Sequence, residues 1–190
     1  RMGVLISGSG RSLQNFAELI SDGELHAEIA VVISSKPGVY GIERCKKLGI
    51  PCHVISRQDY KEAGAFSDAI ADVLDKYAVE LTVMAGFIHL FRIPERHIGR
   101  VMNIHPALLP DFGGKGFYTD RVHEAVIRSG AKVSGCTVHF ASNEYDRGPI
   151  ILQRKVPVLP GDTPHALADR VFAEECKAYP EAINMFSDGR

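Results

Sequence analysis

The 190-residue sequence predicts an α/β protein. The expected form is a Rossmann-like three-layer sandwich with a mostly parallel sheet of about seven strands, one of them antiparallel, in a single domain over residues 1–190. Three observations carry this. Short apolar runs alternate with longer stretches of helical spacing, which is the pattern of right-handed βαβ units. The apolar runs are almost unbroken, as in strands covered on both faces. The first run is followed at once by Gly-Ser-Gly and a helix.

Taken in order, Met2–Ser7 is the first strand, and Ser12–Ile20 follows as a helix through Leu13, Phe16 and Ile20. Ala30–Ser34 is a strand, Tyr40–Leu48 a helix, Cys52–Ile55 a strand, Tyr60–Tyr77 a long helix and Leu81–Ala85 a strand. The second half continues with strand Val101–His105, helix Asp120–Arg128, strands Gly135–Phe140 and Ile150–Val156, and a closing helix from Pro164 to Phe186. Asp146-Arg147-Gly148-Pro149 reads as a turn between the last two strands, which points to at least one antiparallel neighbour. Pro110–Thr119 is rich in glycine and poor in aliphatic residues, so it is a loop whose length points to function or mobility.

Composition narrows the function. With 45% hydrophobic and 24% charged residues the chain is an ordinary globular one. About 70% of the surface of a chain this size is buried on folding. Lys and Arg number 22 against 23 Asp and Glu, a balance that argues against general nucleic-acid binding, which needs a basic surplus. Apolar stretches are broken well before the length of about 18 residues that a membrane span needs. Cys45, Cys52, Cys136 and Cys176 lack paired spacing and no secretory leader precedes the first strand, so reduced thiols and a cytoplasmic location are expected.

The loop Gly8-Ser9-Gly10-Arg11-Ser12-Leu13 opens like a dinucleotide fingerprint, but Leu13 stands at the third glycine position and no acidic residue lies near 30–36. What remains is a glycine turn opening a helix. Its free N–H groups, with Arg11 and Ser12, suit a monophosphate. The alternative is a tight βα turn with glycines for geometry alone.

Asn103-Ile104-His105-Pro106 closes a central strand, where positions two apart share a face. Asn103 and His105 therefore point together at the carboxyl end of the sheet, the usual ligand crevice of open α/β folds. An amide beside an imidazole suits acyl transfer to an amine, one group holding an oxyanion and the other moving a proton. A hydrogen-bonded pair closing a strand is the alternative. Asp146 in the following turn could meet the same sheet edge, where it would orient the ring and raise its pKa; a solvated turn aspartate is the other reading. His139, on one strand face with Thr137, is either a satisfied structural histidine or part of the crevice. His89, His97, His123 and His165 share no metal-ligand spacing. No nucleophile elbow is present.

Together, Leu5-Ile6-Ser7-Gly8-Ser9-Gly10, Met84-Ala85-Gly86-Phe87, Asn103 to Pro110, and Gly135 to Phe140 followed by Asp146 and Gly148 to Gln153 closely resemble the glycinamide ribonucleotide transformylases over essentially the whole chain. The resemblance implies their formyltransferase fold and formyl transfer from 10-formyltetrahydrofolate to the amine of 5′-phosphoribosylglycinamide, in purine synthesis and without a metal. It implies that Asn103 polarises the formyl oxygen, that His105 is the general acid or proton shuttle and that Asp146 holds the imidazole. Gly10, Arg11 and Ser12 fall at the substrate phosphate, and Glu175 at the ribose or glycinamide. Ile88, His89, Leu90 and Phe91 match the backbone stretch that holds the folate pterin, with Asn103 close to the formyl group.

This sequence departs from the family in having Arg11-Ser12 for Ser-Asn, Ile88 to Phe91 for Met-Arg-Ile-Leu, and Ala63 where an arginine often meets the folate tail. Small-molecule partners are implied, with no nucleic acid or membrane, in a monomer or homodimer. The length suits the stand-alone bacterial type. Formyltetrahydrofolate deformylase and methionyl-tRNA formyltransferase share the Asn, His and Asp set but carry an extra domain that this sequence is expected to lack.

Overall fold

The computed structural model describes residues 1–118 and 120–189. Thr119, the last residue of the predicted Pro110–Thr119 loop, and Arg190 lie outside the described residues. The chain forms two compact units, Arg1–Met102 and Asn103–Arg190.

The first unit holds β1 (Met2–Ile6), α1 (Arg11–Ser21), β2 (Ile29–Ser34), α2 (Tyr40–Leu48), β3 (Cys52–Val54), α3 (Ala63–Lys76), β4 (Leu81–Met84) and the start of β5 (Val101–His105). All five residues of β1 are buried, which explains why its sequence does not alternate. It pairs in parallel with β2 on one side and β4 on the other, Val4 lying opposite Val32 and Val83. A side chain at Gly3 would strike Leu74 of α3, whereas one at Gly41 of α2 would strike Ile6. Since residues 3 and 6 lie on opposite faces of β1, α3 covers one face and α2 the other. Each face of this unit is thus sealed by a helix, as the apolar strands require.

Most boundaries lie within one or two residues of the sequence expectation, and the largest difference is at the start of α3. The helix predicted from Tyr60 starts at Ala63, and Arg57–Asp59 form a short 3-10 turn instead. Arg57 donates to the carbonyl of Tyr60, and residues 60 and 62 stay extended. The Tyr60 ring meets Phe66 edge-on at 5.8 Å, so an apolar residue that looked helical belongs to the entry segment.

The second unit holds the rest of β5, α4 (Asp120–Arg128), β6 (Val133–Phe140), β7 (Ile150–Pro157) and α5 (Pro164–Ser187). Thr163 caps α5 by accepting from the N–H of Ala166 at 3.1 Å, and Pro164 occupies the first turn, where its missing donor costs nothing. β6 and β7 run antiparallel, and the register slips at Val138 and His139. Val138 lies opposite Leu152 and His139 opposite Ile150, which leaves Ile151 as the extra residue of a bulge.

Through β5 the strand order reads β3-β2-β1-β4-β5-β6-β7, the seven-stranded, mostly parallel sheet expected. All four cysteines are free thiols. Among the described residues no helix is long and apolar enough to cross a membrane.

Candidate active site

β5 delivers Asn103 and His105 to its carboxyl end. His105 is only 3% exposed, and its two ring nitrogens meet different groups. Nε2 lies 2.8 Å from the carbonyl oxygen of Phe112, which can only accept, so Nε2 carries the hydrogen in the neutral ring. Nδ1 faces Oδ2 of Asp146 at 3.6 Å. A second proton on the ring would therefore settle on Nδ1, against the carboxylate.

Asp146 reaches this position from the β6–β7 turn with a left-handed backbone, φ 55°, a conformation that aspartate tolerates better than most residues. Its Oδ2 also accepts from the N–H of Gly114 at 2.9 Å, and its Oδ1 from the amide of Asn103 at 3.4 Å. The second amide hydrogen of Asn103 goes to Nε2 of His139 at 3.2 Å. His139 can accept there because its Nδ1 donates to the carbonyl of Phe140 at 3.0 Å. The result is one connected network in which Asn103 bridges the His139 ring and the Asp146 carboxylate. His139, left open between two roles by the sequence, is a buried, hydrogen-bonded member of the cluster.

Burial pushes His105 below the ordinary histidine range, and the nearby Asp146 and the Phe112 carbonyl offset this only in part. Asp146 does act upward on the ring, as the sequence led one to expect, but desolvation exceeds that attraction and the net shift is downward. For Asp146 burial acts upward, yet His139, His105 and the Gly114 N–H together hold it below the usual carboxylate range. The resting cluster is a neutral His105 beside an ionised Asp146.

The other residues singled out in the sequence lie on the turn before α1, in the segment after β4 and on α5. Gly10, φ 70°, ends the turn before α1 in the left-handed conformation that glycine tolerates; Arg11 is exposed and Ser12 half-buried. The N–H of Gly41 donates to the carbonyl of Gly8 at 3.1 Å, and Nε of Arg44 donates to that of Ser9 at 2.9 Å. α2 thereby holds the carbonyl side of the turn, so the N–H groups of Ser9 and Gly10, antiparallel to those carbonyls across planar trans peptides, point away from it.

In the segment after β4, the N–H of Ile88 donates to Oγ of Ser7 at 3.2 Å. His89 stands edge-on to Phe66 and Phe87 at 5.8 and 5.9 Å, Leu90 is half-buried, and Phe91 is 2% exposed. The Phe91 side chain belongs to the core, which leaves its backbone for any ligand. His89 also borders a cavity of about 270 Å³ with Lys36 and Arg57 on its wall. Burial, then those two cations, lower its pKa. Glu175 lies half-buried on α5, which packs on β6 and β7. Among the described residues no group of three or more His, Cys, Asp or Glu side chains is placed to hold a metal ion.

The participation of the Phe112 carbonyl and the Gly114 N–H had no sequence signal beyond the glycine-rich loop. Backbone groups leave no trace in residue identity.

Fold and cluster together define an α/β protein with an amide–imidazole–carboxylate network at the carboxyl end of a central strand. The chain belongs to the formyl transferase family, whose profile matches residues 1–183. It is 38% identical over 192 residues to the phosphoribosylglycinamide formyltransferase of Haemophilus influenzae, covering 100% of this chain and 88% of that protein. To the trifunctional purine biosynthetic protein adenosine-3 of Bos taurus it is 40% identical over 191 residues, which is 100% of this chain but 18% of that protein's length. The crystal structure of glycinamide ribonucleotide transformylase 1 from Symbiobacterium toebii superposes with a TM-score of 0.93 at 43% identity, covering 100% of this chain and 88% of that one.

Proposed function

We propose that this chain, as one formyltransferase domain over residues 1–190, transfers the formyl group of 10-formyltetrahydrofolate to the amine of 5′-phosphoribosylglycinamide, a one-carbon step of purine biosynthesis. The observation that carries the reading is the contact of Asp146 with both His105 and Asn103, in a chain of the formyl transferase family.

In this reading the amine attacks the formyl carbon and the carbonyl electrons move onto oxygen. Asn103 turns an amide hydrogen toward that oxyanion, giving up the longer of its two bonds, the 3.4 Å one to Asp146. His105, neutral at rest, accepts the proton from the attacking nitrogen. Asp146 stabilises the imidazolium so formed. The proton then passes to the folate nitrogen as the bond between that nitrogen and the formyl carbon breaks, which balances the transfer without a metal. Gly10, Arg11 and Ser12 take the substrate phosphate, Glu175 the ribose or glycinamide, and Ile88, His89, Leu90 and Phe91 the pterin. A cytoplasmic monomer or homodimer acting on small molecules, with no nucleic acid or membrane partner, completes the proposal.

The test is tetrahydrofolate release from 10-formyltetrahydrofolate with and without 5′-phosphoribosylglycinamide, in the wild type and in His105→Ala. Release should require the amine and should fall by about 10² to 10⁴ in the variant. Release that ignores the amine would reassign the chain to hydrolysis, and an unaffected His105→Ala would remove the ring from the mechanism.

A further inference from the structure

Thr137 and the end of the Gly148–Gln153 motif take no part in the chemistry above, yet they meet beside it. Gln153 on β7 donates from Nε2 to the carbonyl of Leu109 and to Oγ1 of Thr137, each at 2.9 Å. Thr137 on β6, 0% exposed, donates its hydroxyl to the carbonyl of Ala107 at 2.7 Å and accepts from the N–H of Leu109 at 3.0 Å. Both hydrogens of the amide are spent, as are the one hydrogen and both lone pairs of the hydroxyl. Three backbone groups of residues 107–109 are fixed by this clamp.

That tripeptide joins the two halves of the site. His105 lies two residues before it, and Phe112, whose carbonyl holds Nε2 of His105, lies three residues after it. Gly114, which donates to Asp146, follows in the same loop. The described residues of 106–118 contain no helix or strand, so side-chain bonds supply the anchorage that a regular ladder would give.

We propose that Gln153 is a positioning residue. Acting through Thr137 and Leu109, it fixes the start of the loop so that the Phe112 carbonyl stays on His105. The proposal rests on the reading of His105 given above. It is also specific to an amide, because a carboxylate at 153 could not donate to Leu109 and an aliphatic side chain could serve neither partner.

The experiment compares Gln153→Leu, Thr137→Val and Thr137→Ser, measuring kcat, both KM values and the titration of the His105 ring by NMR. Gln153→Leu should lower kcat about tenfold and Thr137→Val further, since misplacement of a reacting group is costly. Both KM values should stay within about twofold, because loop placement rather than ligand contact is lost. Thr137→Ser, which keeps the hydroxyl, should restore the wild-type values. His105 should titrate at still lower pH in the first two variants, as the carbonyl that favours its charged form is withdrawn.

Wild-type kcat and an unmoved His105 titration in Gln153→Leu would overturn the proposal, as would an equal loss in Thr137→Ser. A moved titration with an unchanged kcat would uphold the clamp and remove His105 from the chemistry. Should Thr137→Val fail to fold, Gln153→Leu decides alone, since the Gln153 side chain stands on an edge strand largely outside the core.

Discussion

His105 carries opposing influences whose balance sets the direction of proton flow. Burial disfavours the charged ring, while Asp146 at 3.6 Å and the Phe112 carbonyl at 2.8 Å favour it, and burial prevails. A ring that is neutral at rest accepts a proton first and returns it later. If that order holds, kcat/KM falls on the acid side as His105 becomes protonated, with an apparent pKa below the reference value of about 6.5. Asp146→Asn removes the group that favours the charged ring, so it should shift this acid limb to lower pH. It should also lower kcat by about 10³ or more, because the imidazolium formed during turnover loses its counter-charge. A limb that stays in place in Asp146→Asn would show that the two groups do not titrate as a pair. The sequence placed Asn103 and His105 on one face through strand alternation alone, and it placed Asp146 in the right turn. It could not weigh desolvation against charge, because burial is a property of the packed chain.

Among the elements, the β6–β7 connection does the most for the site. Asp146 and Gly148 are two residues apart, and a side chain on Gly148 would lie 1.6 Å from the carbonyl oxygen of Phe140. No rotamer relieves a clash with backbone, so Gly148→Ala must push the turn away from β6 and carry Asp146 with it. The expected result is a loss of stability of about 2 kcal/mol or more and a fall in kcat of at least about a hundredfold. Gly64→Ala in α3, where nothing lies within 4 Å, is the control and should leave activity unchanged. Denaturant midpoints and turnover of the two variants would check this, and a fully active Gly148→Ala would mean that Asp146 does not depend on the turn. Strands and helices with clear periodicity were legible at this scale, down to the antiparallel pair. The start of α3 was not, because Tyr60 packs on Phe66 from an extended segment. Nor was the bulge opposite His139, since Ile150, Ile151 and Leu152 form an unbroken apolar run with no alternation for an extra residue to shift.

At the scale of the whole molecule, three histidines in both compact units share one electrostatic habit. His89, His105 and His123 are each lowered below the ordinary histidine range, in every case by burial first. Unfolding returns each to about 6.5, so below that pH the unfolded chain binds more protons than the folded one. Their stabilising contribution is therefore complete above about pH 6.5 and is lost as pH falls through the folded-state values. Asp146, held low, adds a contribution of the opposite group type that disappears only at much lower pH, below about 3.9. The formal net charge is −1, so self-repulsion of the whole chain adds little in the neutral range, where these three rings contribute. Urea unfolding followed from about pH 8 to pH 5 should show a plateau and then a decline that begins near pH 6.5. His123→Asn should flatten part of that decline and leave turnover above about pH 7 unchanged, because His123 has no part in the proposed chemistry. Stability that stays level, or rises, on acidification to about pH 5 would show that these rings accept protons in the folded state as readily as in the unfolded one.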